Sequence, residues 1–302
     1  MTESAAPLVV RSLICHRDVE MAVACLGSLL RLSADAVRLA LHDDGSLTIE
    51  DTERLQNELA GATIILRAQA DDVVNPLLSR YPHCARFRRE NIFGLKLLDI
   101  PLASDGDLAY CDSDILFLRP YDGLFRWPGA GTSAIFMMDT IEPYSVRPRH
   151  LLGAGGLKLA SKVNAGLIFL RHGAYDLDFI EWFLGHDEYK RVPPLVEQTC
   201  WAALGHRVGC RFYDPKQIAM MRPGKRLADG LIAGHFIRRY RFLLKDFLVP
   251  AADAVRAKPL AAVRTVAAQE CSYFSLSRSL TRAQLGVWRE QVLSIFGAWQ
   301  RA

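Results

Sequence analysis

Short apolar runs alternate with stretches of helical period along the first 120 residues. Leu8 to Cys15 reads as a buried strand, and Asp18 is placed to cap a helix carrying Ala22, Val23, Leu26, Leu29 and Leu30 on one face. Val37 to His42 reads as a second strand. It runs into His42-Asp43-Asp44-Gly45-Ser46, whose Asp-Gly content predicts a turn. A helix starting at Ser46 or Thr48 runs through Leu59, a third strand covers Ala62 to Leu66, and a short helix follows around Asp72 to Ser79. Arg86 to Leu102 carries one helical pattern with Lys96 on it. Then come two apolar runs, ending at Cys111 and starting at Ile115, with Asp112-Ser113-Asp114 between them. This alternation predicts an α/β fold with a mostly parallel sheet covered by helices on both faces. Ligands of such sheets lie beyond the carboxyl ends of the strands. Three stretches fall there: Cys15-His16-Arg17-Asp18, His42 to Ser46, and Asp112 to Asp114.

The second half is less regular. Ser133 to Asp139 and Asn164 to Leu170 read as strands, Asp178 to Leu184 and Val196 to Leu204 as helices, and Leu231 to Phe236 as a last short strand. Thr140 to Lys162, rich in Gly, Pro and Arg, reads as a long mobile loop, and its length beside a site suits a lid. After Tyr240 the pattern turns to apolar pieces with interspersed Lys and Arg. A final helix is predicted with Leu285, Trp288, Val292, Ile295, Phe296 and Trp299 on one stripe. The expected organisation is one catalytic domain over 1–241, with a nucleotide-binding half (1–120) and an acceptor half (121–241). A basic, amphipathic helical region follows over 242–302.

Composition narrows the class. Half of the 302 residues are hydrophobic and 23% are charged, which excludes a disordered chain. No apolar stretch reaches the ~20 residues of a membrane span, and the opening residues show no secretory signal pattern. The seven cysteines are scattered without Cys-x-x-Cys spacing, so neither a zinc site nor a disulfide framework is expected, and a reducing cytoplasm fits. Residues 1–220 carry 23 basic and 28 acidic side chains, whereas residues 221–302 carry 14 and 5. The basic end suits phosphates or anionic lipid. Nucleic-acid-binding signatures are absent, and so are the Gly-x-Gly-x-x-Gly and Gly-Lys-Ser/Thr phosphate loops.

Asp112 and Asp114 are the sharpest chemical signal. Carboxylates at the end of a buried strand are costly unless paired or metal-bound. Small Ser113 permits the turn that lets both lean toward one point, an arrangement suited to Mg²⁺ or Mn²⁺ shared with a phosphate-bearing ligand.

Ordered motifs across roughly residues 8–240 resemble the GT-A glycosyltransferases, most of all the retaining family that includes glycogenin and bacterial lipopolysaccharide glucosyl- and galactosyltransferases. Phe93-Gly-Leu-Lys96 leads toward Leu-Ala-Tyr-Cys-Asp112-Ser-Asp114, Asn164-Ala-Gly166 precedes an apolar strand, Glu197-Gln198 opens a helix, and His235 ends a strand. The family's Lys-Pro-Trp after that histidine is absent, and Arg238-Arg239-Tyr240-Arg241 stands in its place. The resemblance implies a Rossmann-like GT-A domain that moves a hexose from a nucleotide-diphosphate sugar, a UDP-sugar by preference, with retention. It implies Asp112, Asp114 and His235 as ligands of Mn²⁺ or Mg²⁺. Cys15, His16, Asp43, Asp44, Lys96, Ser113, Arg238, Arg239 and Arg241 would face the nucleotide or its diphosphate, together with Asp112. Asn164, Glu197 and Gln198 would hold the sugar or the reacting face.

Two other readings of the same residues are open. One is a haloacid-dehalogenase-type phosphatase with Asp112 as nucleophile and Asp114 as acid/base. The other is a nucleotide-sugar-binding protein without turnover. The expected acceptor is a glycan, a lipid-linked sugar or a small molecule. The expected location is the cytoplasm, with peripheral contact at the inner membrane surface through the basic C-terminal region.

Overall fold

The structure, a computed structural model, describes residues 7–224, 229–248 and 257–282. The chain alternates as the sequence predicts through β1 (Leu8–Ile14), α1 (Val19–Leu32), β2 (Val37–Asp43), α2 (Ile49–Glu58), β3 (Thr63–Ile65), α3 (Arg67–Leu77) and α4 (Pro82–Glu90). A π-helical turn at Leu95–Asp99 runs into α5 (Ile100–Leu102). β4 (Leu108–Cys111), β5 (Ile115–Phe117), β6 (Tyr121–Asp122), β7 (Ala134–Met138) and β8 (Val163–Leu170) follow. Then come α6 (Leu177–Gly185), α7 (Val196–Val208), β9 (Cys210–Tyr213), β10 (Ile218–Met220), β11 (Ala233–His235), α8 (Lys245–Leu248), β12 (Ala261–Ala262) and β13 (Thr265–Ala267).

The main sheet has eight strands in the order β13-β9-β7-β8-β4-β1-β2-β3. The β3-β2-β1-β4 part is parallel, whereas β8 runs antiparallel to both of its neighbours. Strand alternation divides the interior in two. Along β4, Leu108 and Tyr110 enter the core on one face, and Ala109 and Cys111 enter the core on the other. A three-stranded sheet, β10-β11-β5, sits beside the carboxyl end of β4.

Three expectations need correction. The helix expected over 86–102 is broken, because the chain leaves α4 at Asn91 and re-enters as the π-helical turn. Gly94 makes the close return possible: a Cβ there would lie 2.6 Å from the Arg88 Cα. Such π segments are frequent at functional sites, and this one carries Lys96.

The 140–162 stretch is fastened rather than hanging free. Glu142 accepts from Ser161 Oγ (2.6 Å) and from the Lys162 amide (2.6 Å), and its own amide donates to Ser279 Oγ (2.9 Å). The Ser161 amide donates to the Gln269 carbonyl, and the Cys271 amide donates to the Leu159 carbonyl. Tyr144 and Val146 are buried, and exposure is concentrated at 152–155.

The region after 241 is not purely helical either. β13 joins the main sheet along β9, β12 pairs with β6, and a helix covers 273–282. Val266 packs against the main core, which is why an apolar stretch with β-branched residues becomes an edge strand. The stripe from Leu285 to Trp299 lies outside the described residues.

Candidate active site

Backbone pairing fixes the acidic pair. The Asp112 amide donates to the Gly166 carbonyl (2.7 Å), and the Ile115 amide closes the turn on the Asp112 carbonyl (3.3 Å). β5 then leaves antiparallel to β11 with Ile115 opposite His235, and the Phe236 amide donates to the Asp114 carbonyl (2.9 Å). Residues far apart in sequence therefore converge, and one ligating atom each from Asp112, Asp114 and His235 lies within 4.8 Å of the others. His235 Nε2 is 3.0 Å from Asp114 Oδ1 and 3.8 Å from Asp112 Oδ2. Asp114 Oδ1 is buried and, despite that proximity, has no aligned hydrogen-bond donor. A buried carboxylate oxygen without a donor is costly unless a cation completes it. Two carboxylates and an imidazole converging there form a donor set that fits a divalent cation.

Fixed cations flank the three residues. Lys96, carried by the π-helical turn, is buried and donates to Asp112 Oδ1 (2.9 Å). Tyr110 donates its hydroxyl to the same oxygen (2.6 Å), and Lys96 Nζ lies 4.6 Å from that ring's centroid. On the far side, Arg241 donates from Nε and Nη2 to Asp114 Oδ2 (3.1 and 3.0 Å) and from Nη1 to Asp18. One oxygen of Asp114 is thus engaged and the other is bare.

Charge shifts follow from this packing. Burial opposes ionisation of Asp114, yet His235 and Arg241 outweigh it and hold the carboxyl below its ordinary range. For His235 burial lowers the pKa, and Asp114 and Asp112 overcome that and raise it. Lys96 behaves alike: burial works against its charge, and Asp112 and Glu197 keep it protonated. Glu197 is pushed up to about 7, first by burial, with Lys96 opposing and Asp112 adding. Its Oε1 is buried without a hydrogen-bond partner, 4.0 Å from Lys96 Nζ.

A pocket of about 530 Å³ opens over this cluster. Cys15, Asp44, Lys96, Asp112, Ser113, Asp114, Asn164, Glu197, Gln198, His235 and Arg241 all line it. Asn164 reaches behind His235, where its Oδ1 is 3.2 Å from the ring Nδ1. Gln198 Oε1 accepts from the Ala165 amide (3.3 Å).

Other expected residues are placed elsewhere. Asp43 lines no part of the pocket, because its carboxylate accepts from the Gly45, Leu47 and Arg67 amides and so shapes the turn after β2. His16 is exposed and bound to Asp51 (2.6 Å). Arg239 is exposed against Tyr240, outside the pocket lining. The side chain of Arg238 lies outside the described residues.

Two contacts go beyond the expected set. Asp18, expected as a helix cap, makes no side-chain cap bond and instead anchors Arg241. Tyr110 holds Asp112, and its signal was available: positions i and i+2 of a strand share a face. The pocket mouth adds Ile92, Phe93, Pro194 and Leu195. Of the competing histidines, His42 is buried against Arg11 with its pKa driven down to about 3, first by burial and then by that arginine, and His172 is exposed. Neither lines the pocket.

No protein-family model matches the chain, and no curated protein matches it in sequence. Solved structures do match in shape. The apo bifunctional glycosyltransferase WbbM superposes with a TM-score of 0.53 at 10% identity, over 84% of this chain and 51% of that one. The chain therefore spans about half the length of that protein. GlyE of Streptococcus pneumoniae, in its apo form, matches with a TM-score of 0.47 at 14% identity, over 83% of this chain and 62% of that one. The galactosyltransferase LgtC, solved with donor and acceptor sugar analogues, matches with a TM-score of 0.44 at 13% identity, over 83% and 98%. The fold is the GT-A fold of glycosyltransferases, a mixed α/β layer with its pocket at the strand ends. Among the described residues no helix is long and apolar enough to cross a membrane.

Proposed function

We propose that the protein is a metal-dependent glycosyltransferase that moves a hexose from a nucleotide-diphosphate sugar, by preference a UDP-sugar, to a carbohydrate or lipid-linked acceptor. The observation that carries this reading is the convergence of Asp112, Asp114 and His235 on one point beneath a pocket flanked by Lys96 and Arg241. Breaking the sugar–phosphate bond leaves a diphosphate that gains negative charge. Asp112, Asp114 and His235 would hold Mn²⁺ or Mg²⁺, which supplies Lewis-acid stabilisation of that charge. Lys96 adds a buried, preorganised positive charge to the same centre. Arg241, in the place of that family's Lys-Pro-Trp, has its fork on Asp114 and Asp18 and adds a fixed positive charge beside the diphosphate position. Glu197 and Gln198, on the first turn of α7, face the pocket where donor sugar hydroxyls would lie. Asn164-Ala-Gly166 and Glu197-Gln198, in the order shown by the retaining family, favour retention.

The phosphatase alternative fits poorly. It needs the acidic pair after the first strand and a free nucleophile. Here the pair follows β4, and Asp112 is bonded to Lys96 and Tyr110. A thermal-shift panel of UDP-, GDP-, dTDP- and CMP-sugars with and without Mn²⁺ tests the proposal. A UDP-sugar should raise the Tm only with the metal, and the shift should vanish in Asp114→Ala. Stabilisation that ignores Mn²⁺, or that survives Asp114→Ala, overturns it. Metal-dependent stabilisation with no sugar released or transferred would leave a binding protein instead.

A further inference from the structure

Behind His235 lies a second layer of polar residues that do not themselves converge on the candidate metal point. Asn164 is buried near the start of β8. Its Oδ1 accepts from the Gly166 amide at 2.9 Å and lies 3.2 Å from His235 Nδ1. Its Nδ2 is 3.2 Å from Asp139 Oδ2 and 3.4 Å from Met220 Sδ. The two ends of this amide look alike in shape, so its orientation must be argued from its partners. A backbone N–H can only donate, and a carboxylate can only accept. The Gly166 amide therefore demands the oxygen at one end, and Asp139 demands the nitrogen at the other. The atom facing His235 is then an acceptor, and the ring must carry a proton on Nδ1 to meet it. In the neutral ring this leaves Nε2 bare, and Nε2 is the atom aimed at Asp112 and Asp114.

The backbone is shaped for the same purpose. The register between β7 and β8 shifts after Phe136, so that Met137 pairs with Asn164. Irregularities of this kind re-aim side chains beside active sites. Gly166 gives the ring its seat: a Cβ there would sit 2.6 Å from His235 Cε1 and 2.9 Å from Asn164 Oδ1.

We infer that Asp139 and Asn164 are positioning residues that fix the tautomer and direction of His235, with Gly166 as the clearance that lets the ring pack against β8. The inference rests on the proposed function for the metal's use, but not for the tautomer. It also gives Asn-Ala-Gly a task other than holding sugar hydroxyls. Outer partners of this kind cost about 10–100-fold in metal affinity when removed.

The test uses the full chain, ¹⁵N-histidine labelling of metal-free protein at alkaline pH, and Mn²⁺ titration by calorimetry. The His235 signals are identified by their loss in His235→Gln. In the wild type they should report a proton on Nδ1 and none on Nε2. Asn164→Leu should lose that preference and bind Mn²⁺ about 10–100-fold more weakly. Asp139→Asn, which can still accept from the amide, should bind Mn²⁺ within a few-fold of wild type, whereas Asp139→Leu should bind it more weakly. A wild-type ring protonated on Nε2, or Asn164→Leu binding Mn²⁺ as tightly as wild type, overturns the inference. If Asn164→Leu does not fold, the wild-type tautomer and the Asp139 pair decide. Mn²⁺ bound with no nucleotide sugar turned over would defeat the proposed function and leave this inference standing. A wild type that ignores Mn²⁺ would defeat the metal assignment, and the tautomer alone would then decide.

Discussion

Two buried cations lie on either side of Gly94, and their surroundings differ. Arg88 donates from Nε and Nη2 to both oxygens of Asp99 (2.6 and 2.7 Å), from Nη2 to Asp71 (2.6 Å) and from Nη1 to Asn75 (2.9 Å). No side-chain atom of Arg88 or Asp99 is left buried without a partner. Lys96 sits among Asp112, Asp114, His235 and Glu197, where Asp114 Oδ1 and Glu197 Oε1 have no hydrogen-bond partner. The first cluster is closed on itself, and its geometry explains the break between α4 and the π-helical turn. The second is one ligand short of closure. A saturated set of buried charges is a structural joint, whereas an unsaturated set beside a cavity is a binding site.

Three substitutions would break or sharpen that contrast. The largest effect is expected for Arg88→Met, which strands buried Asp99 without its cation, whereas Asp71 keeps Arg67. Stability should fall by about 3–5 kcal/mol, read as a lower denaturation midpoint in urea, with Mn²⁺ affinity of the folded fraction unchanged. Next comes Lys96→Met, which should reduce kcat/KM for the accepted nucleotide sugar by about 10²–10³-fold. Its Tm with metal present should fall less than that of Arg88→Met, because a bound cation supports Asp112. Equal Tm losses in the two variants would erase the distinction.

The smallest expected effect concerns Glu197. Its folded-state pKa of about 7 lies above its unfolded value, so the native state binds the proton more tightly. Its contribution is harmless below pH ~4.5 and becomes destabilising as pH rises through about 7, where the native state is forced to hold a buried anion. In metal-free protein, Glu197→Gln should therefore match the wild type near pH 4.5 and exceed it at pH 8, by on the order of 3 kcal/mol at most. Unfolding curves at the two pH values check this, and a pH-independent difference would contradict it.

The same contrast explains what the sequence revealed. The strand ends that form the pocket were legible because β1, β2, β4 and β8 are short apolar runs with polar residues at their carboxyl or amino ends. Asp112, Asp114 and His235 were legible through a family resemblance in residue order, and the structure brings them together. Asp43 was not separable from Asp44 by composition, since which of two adjacent acids turns inward depends on the turn they build. The Asp18–Arg241 bond was hidden because its partners are 223 residues apart. β13 was hidden because an edge strand of three residues carries too little periodicity to outweigh its basic neighbours.

The fastening of 140–162 has a consequence for how the molecule is made. Its anchors, Gln269, Cys271 and Ser279, are more than a hundred positions later in the chain. During synthesis the wall of the pocket near Asn164 must wait for these anchors until residues 269–279 have left the ribosome. A version cut after Arg241 would keep Asp112, Asp114 and His235 yet never receive the strap that secures Glu142, Leu159 and Ser161.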